Sequence, residues 1–244
     1  MKYQKILAVS MAALLSLSLA GCSTSSSSTS SSNSSSSVAT IKAMKGEDLA
    51  KIQADDKEKE KYLVIDVREA KEYNEGHLKH ATNIPLADFE KSLDKISAWK
   101  EKPVIVYCNT GKKSGEAADI LVKNGFKDVT NADGVKTYTS YQLVKYTGLL
   151  GVDFQKAITE NKGAFFDGRD AKDFEKSHVK DAKNFDAKKL DDLAAMLPAD
   201  KEAPVYFYCY SGNRSSKGAE KAIELGYKNV FNAIDGTKEF EYKF

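Results

Sequence analysis

Two seven-residue stretches combine the residue types that nucleophilic thiol chemistry needs: Cys209-Tyr-Ser-Gly-Asn-Arg-Ser215 and Cys108-Asn-Thr-Gly-Lys-Lys-Ser114. Each follows a short apolar run, Val205-Tyr-Phe-Tyr208 or Val104-Ile-Val-Tyr107, and precedes a segment with helical spacing. A cysteine at the carboxyl end of a central parallel strand sits where open α/β sheets bind ligands. The residues after it must wrap into the start of the next helix. Their backbone N–H groups then converge on the sulfur, and the helix dipole adds positive potential. Both effects favour a nucleophilic thiolate. Gly212 permits the tight turn. The candidate set is therefore Cys209 and Cys108 as nucleophiles, with Ser211, Gly212, Asn213, Arg214, Ser215 and Lys113 as substrate-binding residues.

Arginine is scarce enough to be informative. Of 37 basic residues only Arg68, Arg169 and Arg214 are Arg. A guanidinium grips an anion or carboxylate with a planar fork, which Lys does poorly. Arg214 is expected to pin the loop or grip an anionic substrate. Lys113, its counterpart, keeps the charge but loses the fork. The cysteines form no CxxC pair, so the sequence offers no zinc-site pattern.

The elements that must position these loops are visible as a duplication with an offset of 101 residues. Asp66, Arg68, Glu72, Tyr73 and His77 map onto Asp167, Arg169, Asp173, Phe174 and His178; Cys108, Gly111 and Ser114 map onto Cys209, Gly212 and Ser215. A period of this length is a domain duplication rather than a solenoid. In each copy short apolar runs alternate with helical segments that stop at Gly125 and Gly226. That alternation predicts an α/β fold: two tandem domains, residues 40–141 and 142–244, each a mostly parallel sheet flanked by helices.

The combined motifs resemble the rhodanese family across about residues 40–244. They are Asp167-x-Arg169, Asp173-Phe174, His178, Cys209-x-x-Gly212-x-Arg214-Ser215 and Gly226-Tyr227. In the first copy they are Asp66-x-Arg68, Glu72-Tyr73, Gly76-His77-Leu78, Asn83-Ile84-Pro85, Cys108-x-x-Gly111-x-Lys113-Ser114 and Gly125-Phe126. The resemblance implies a sulfurtransferase. A cysteine thiolate takes sulfane sulfur from a small sulfur-containing anion, thiosulfate or a persulfide, and passes it to a thiol or cyanide acceptor. It also implies that no metal or organic cofactor takes part. Departures from the pattern are Lys113, Ser177 before His178, and Asp181-Ala182 where Gly-Ala is usual. A sulfur-carrier or partner-binding module without turnover is the alternative, because fold does not fix function. A cysteine phosphatase is disfavoured: Arg214 stands five positions after Cys209, one fewer than a phosphate cradle uses.

The N-terminus has a different purpose. Lys2 and Lys5 precede an apolar stretch from Ile6 to Ala20, too short to span a bilayer comfortably and laid out as a secretory signal over residues 1–21. Leu19-Ala20-Gly21-Cys22 resembles the lipobox of bacterial lipoproteins, which implies cleavage before Cys22 and lipidation of its sulfur. The alternative is a secreted protein cut near Ala20. Residues 23–37 are only Ser, Thr and Asn, so 22–39 reads as a flexible tether to an extracytoplasmic, membrane-anchored body. Without Lys2 and Lys5 the chain balances 35 basic against 35 acidic residues, which gives nucleic acid no basic surface to bind.

Other residues have structural readings. Cys108 and Cys209 are expected as free thiols rather than a disulfide, since pairing would set two sites face to face. His77 and His178 are expected to pack in turns. Asp66/Arg68 and Asp167/Arg169 are expected to tie neighbouring loops together in at least one member of each pair, and Trp99 to pack in a core or interface.

Overall fold

Pro103–Tyr107 and Val205–Tyr208 are nearly continuous apolar runs, and such strands are stable only where both faces of a sheet are covered. The computed structural model, which describes residues 40–244, places each in the middle of a five-stranded, all-parallel sheet. In the first copy the elements are β1 (Lys42–Met44), α1 (Gly46–Ala54), β2 (Leu63–Asp66), α2 (Ala70–Glu75), β3 (His77–Leu78), β4 (Ala81–Asn83), β5 (Pro103–Tyr107), α3 (Lys112–Lys123) and β6 (Asp128–Ala132). The second copy follows with β7 (Leu143–Val144), β8 (Thr147–Leu149), α4 (Gly151–Thr159), β9 (Ala164–Asp167), α5 (Ala171–Lys176), β10 (Lys183–Asn184), β11 (Val205–Tyr208), α6 (Asn213–Glu224) and β12 (Val230–Ala233). The strand orders are β1-β6-β5-β2-β4 and β8-β12-β11-β9-β10, the same topology twice. Short 3-10 segments, Glu90–Trp99 and Leu190–Ala195, stand between β4 and β5 and between β10 and β11. The expected duplicated α/β fold is present. The leader, Cys22 and the serine tether lie outside the described residues.

The helices behind the cysteine loops end as their sequence predicts. Gly125 takes φ +87°, and the Phe126 N–H donates to the Leu121 carbonyl, closing the last turn of α3. Gly226 at φ +90° and the Tyr227 N–H to the Ala222 carbonyl do the same for α6.

Apolar layers cover both faces of each sheet, and one layer is shared. Leu150 and Ile234, from the second copy, are buried in the core that holds Leu63, Val67, Ile96 and Val106 of the first. Trp99 packs on the same core, as expected. Gly148 in β8 runs so close to Ala81 in β4 that a Cβ would stand 2.4 Å from the Ala81 carbonyl oxygen. The buried Tyr73 hydroxyl bridges this seam: it donates to the Ala81 carbonyl (2.8 Å) and accepts from the Gly148 N–H (3.0 Å). β7 adds antiparallel to β3, so the first strand of the second copy lies on the first.

A fragment of residues 142–244 retains its own sheet and is expected to fold cooperatively. Leu150 and Ile234 lose their partners in it, at about 1.5–3 kcal/mol per side chain. Its urea midpoint should therefore fall below that of the same copy within the full chain. Equal midpoints would mean that the shared core contributes no stability.

Candidate active site

Each cysteine follows its central strand and faces a helix start. Cys108 is 2% exposed and Cys209 1% exposed, and both are free thiols, as expected. Gly111 and Gly212 precede α3 and α6 with φ of +88° and +79°, the left-handed turn that lets the chain double back over the sulfur. In the first loop the Gly111 N–H (3.2 Å) and the Ser114 hydroxyl (3.4 Å) donate to Cys108 Sγ. In the second the Ser215 N–H (3.4 Å) and hydroxyl (3.3 Å) donate to Cys209 Sγ. Burial pushes the Cys108 thiol pKa up, but donors from Ser114, Thr110 and Gly111 outweigh it and leave the thiol below its ordinary value.

Three supports hold these loops; sequence reasoning named the residues of the first only as a motif and missed the other two. The acid of the acid–aromatic motif bonds the residue after the cysteine. The Asn109 side chain donates to Glu72 Oε1 at 2.7 Å, and the Tyr210 hydroxyl donates to Asp173 Oδ2 at 2.5 Å. The Tyr210 hydroxyl and Lys176 hold the Asp173 carboxyl down to about 2. The second support is an asparagine on the next strand. Asn131 Nδ2 donates to the Gly111 carbonyl (3.0 Å) and Asn131 Oδ1 accepts from Ser114 (2.7 Å); Asn232 Nδ2 donates to the Gly212 carbonyl (3.3 Å). The two asparagines share the 101-residue register, a signal present in the sequence. The third is an Asp-Gly turn beyond that strand. A Cβ on Gly134 would stand 2.3 Å from the Asn109 carbonyl carbon, and one on Gly236 2.0 Å from that of Tyr210. From these turns the Val135 and Thr237 N–H groups bond the cysteine carbonyls. Ile234 shifts the second Asp-Gly by one residue, which takes it out of the 101 register.

Arg214 does not pin the loop. Its Nη1 pairs with Asp170 at 2.8 Å and its guanidinium lies 5.4 Å from the Tyr210 ring centroid. Lys113 makes the equivalent pair with Glu69 at 3.3 Å. Both cations stand half-exposed at the mouth of their loops, where an arriving anion would meet them. Arg214 and Arg169 also line a cleft of about 400 Å³ with Lys188 and Lys217. Ser211 and Gly212 are buried, and Asn213 is partly so.

The first-motif residues are scaffold, as expected. Arg68 and Arg169 form buried pairs with Asp66 (2.6 Å) and Asp167 (2.7 Å) and donate to the Gly76 and Ser177 carbonyls. His77 and His178 stack on Tyr73 and Phe174, with Nδ1 bonded to those residues' carbonyls. His80 and Asp181 both take φ +61°, which explains why the pattern favours Gly there.

Ser114→Ala removes a donor that favours the Cys108 thiolate. Alkylation of Cys108 by iodoacetamide at pH 7 is expected to slow roughly tenfold, which corresponds to about 1.4 kcal/mol. An unchanged rate would assign the thiolate to the backbone donors alone.

The family model for the Rhodanese-like domain matches residues 47–135 and 152–243. Thiosulfate sulfurtransferase PspE of Escherichia coli is 40% identical over 72 residues, 30% of this chain and 69% of that protein. Thiosulfate sulfurtransferase GlpE of Coxiella burnetii is 39% identical over 72 residues, 30% of this chain and 65% of that protein. A thiosulfate sulfurtransferase structure from Pseudomonas aeruginosa aligns with 81% of this chain and 41% of its own at 18% identity, with a TM-score of 0.36. The doubled strand–Cys–loop–helix unit and the two family-model matches together make this chain a member of the rhodanese family, with two rhodanese-like domains in tandem.

Proposed function

We propose that the protein is a sulfurtransferase that carries sulfane sulfur as a cysteine persulfide, with Cys209 as the main nucleophile. The observation that carries this reading is the set of donors aimed at a strand-end sulfur in both copies. Such a ring stabilises an anionic sulfur wherever it forms, without proton transfer at the moment of reaction. The Cys209 thiolate attacks the outer sulfur of thiosulfate. A new S–S bond forms, the old one breaks, and sulfite leaves with the bonding pair. Cyanide or a thiolate then attacks the outer sulfur of the persulfide. The cysteine leaves as a thiolate and the product is thiocyanate or a new persulfide. This is two-step covalent catalysis with ping-pong kinetics. The names of the matched sulfurtransferases support the donor class. Arg214, the stronger anion-gripping cation at the loop mouth, ranks the second site above the first.

Thiosulfate treatment of the full chain is expected to add about 32 Da, one sulfur atom, to the peptide that contains Cys209. Cys209→Ser should abolish most thiosulfate:cyanide turnover and Cys108→Ser should leave most of it. Retention of full turnover by Cys209→Ser would overturn the assignment. Persulfide formation without turnover would favour the sulfur-carrier alternative.

We also propose that the body is held outside the cytoplasm by lipid on Cys22. The support is the sequence alone: Leu19-Ala20-Gly21-Cys22 closing an apolar leader, then a polar tether. Cys22→Ala is expected to move the protein from the membrane fraction to the soluble one, or to block processing. Full membrane partition of a processed Cys22→Ala protein would remove the anchor from Cys22.

A further inference from the structure

The two loops differ most in what lies behind them. Among the described residues, every side chain that hydrogen-bonds the Cys108 loop comes from the first copy. The Cys209 loop is instead clasped by the other copy. Asn213 Nδ2 donates to the Asp56 carbonyl and to Glu60 Oε1, both at 3.3 Å. Between these contacts Lys59, in the short 3-10 turn Lys59–Lys61 that follows α1, donates from Nζ to the Ser211 carbonyl. Lys59 is 5% exposed. The second copy has no counterpart of this turn: four residues, 160–163, join α4 to β9 where eight, 55–62, join α1 to β2.

A buried ammonium needs partners. Burial pulls the Lys59 pKa below its ordinary value, and Glu239, Glu60, Cys209 and Asp56 offset part of that pull. Asp235 and His80 complete the surroundings, around a cavity of about 30 Å³. Those carboxylates explain why a lysine is tolerated there. Its one hydrogen bond to the second copy goes to the catalytic loop.

We propose that Lys59 is a positioning residue through which the first domain governs chemistry at Cys209, an assignment that builds on the sulfurtransferase reading. It acts in two ways. The peptide unit is planar and trans, so the Ser211 carbonyl and the Gly212 N–H point in opposite directions. Fixing the carbonyl toward Lys59 holds that N–H at the opposite edge of the same plane, facing away from Lys59. The ammonium also sets a buried positive charge beside a loop that must carry a thiolate and then a persulfide, and a charge removed from water acts strongly. Cys209 also bears on the charge of Arg214 and Tyr242.

The test uses the full chain and follows iodoacetamide alkylation of both cysteines against pH, with peptide mass spectrometry. Cys108 is the internal reference. In Lys59→Met the Cys209 profile is expected to move about one pH unit higher while that of Cys108 stays in place. Lys59→Gln keeps an N–H donor without the charge and is expected to show a smaller shift in the same direction, whereas Lys59→Arg should retain the parent profile. In a Cys108→Ser background, Lys59→Met should lower thiosulfate:cyanide turnover about tenfold at neutral pH, the change that one pH unit brings. An unmoved Cys209 profile in Lys59→Met would overturn the proposal. So would a joint shift of both cysteines, which would mark a loosened fold. The size of the shift in Lys59→Gln separates the charge from the hydrogen bond. Alkylation needs no sulfur transfer. A shift at Cys209 in a protein that forms no persulfide would therefore sustain Lys59 and reject the sulfurtransferase reading.

Discussion

The structure depends on one constraint: a strand-end cysteine sulfur held almost fully out of water, which under the proposed function must bear negative charge there. An uncompensated buried anion is costly, so donors have to be brought to it and held there. A parallel strand that ends against a helix start supplies them in quantity, because the first N–H groups of a helix have no partners within it. The topology follows from that need. β5 and β11 are the middle strands, so each cysteine emerges with strands on both sides to carry supports. Asn131 and Asn232 come from the neighbouring strand on one side, and Glu72 and Asp173 from the helix after the strand on the other.

Duplication copied this arrangement and then the copies diverged at their edges. The buried pairs Asp66–Arg68 and Asp167–Arg169 have the same geometry to within 0.1 Å. The loop mouths differ, with Lys113–Glu69 at 3.3 Å against Arg214–Asp170 at 2.8 Å. A half-exposed ion pair of this kind adds little stability. Its weakness has a use, because a cation loosely held by one carboxylate remains available to an incoming anion. The surroundings differ more. Among the described residues the first loop takes side-chain hydrogen bonds from its own copy only, while Asp56, Lys59 and Glu60 close the second. Tandem order therefore makes the two sites unequal even where their motifs agree.

Much of this was legible in the sequence because rare residues sit at fixed offsets. Cys, Arg, His and Gly in register gave the repeat, the strand ends and the turns, and the buried Asp–Arg pairs took the scaffold role expected of them. The supports around the loop were harder to read. Asn131 and Asn232 keep the register but look like ordinary strand-end polar residues. Gly134 and Gly236 lose the register through Ile234, an insertion used to fill the shared core. The chemistry of Arg214 predicts that it pins the loop or grips an anion. In the folded chain its reach is set by Asp170, a residue 44 positions away that periodicity does not link to it. Lys59 is one of 34 lysines, and only the packing of one copy on the other distinguishes it from a solvated surface charge.

That packing ties together features that otherwise stand apart. β7 pairs with β3, Tyr73 bridges Ala81 to Gly148, and Leu150 and Ile234 fill the first copy's core. These contacts involve both ends of the second copy, the strand that enters it and the Asp-Gly turn that braces its cysteine loop. The same seam that seats Ile234 thus lies next to Gly236, whose turn supports Tyr210, and Glu239, which helps neutralise Lys59. An apolar interface fixes position only to within the tolerance of side-chain packing. The polar contacts from Lys59 and Asn213 then set the loop to hydrogen-bond accuracy. The hydrophobic contacts supply most of the attraction between the copies, and the few buried polar ones determine the geometry of the Cys209 loop.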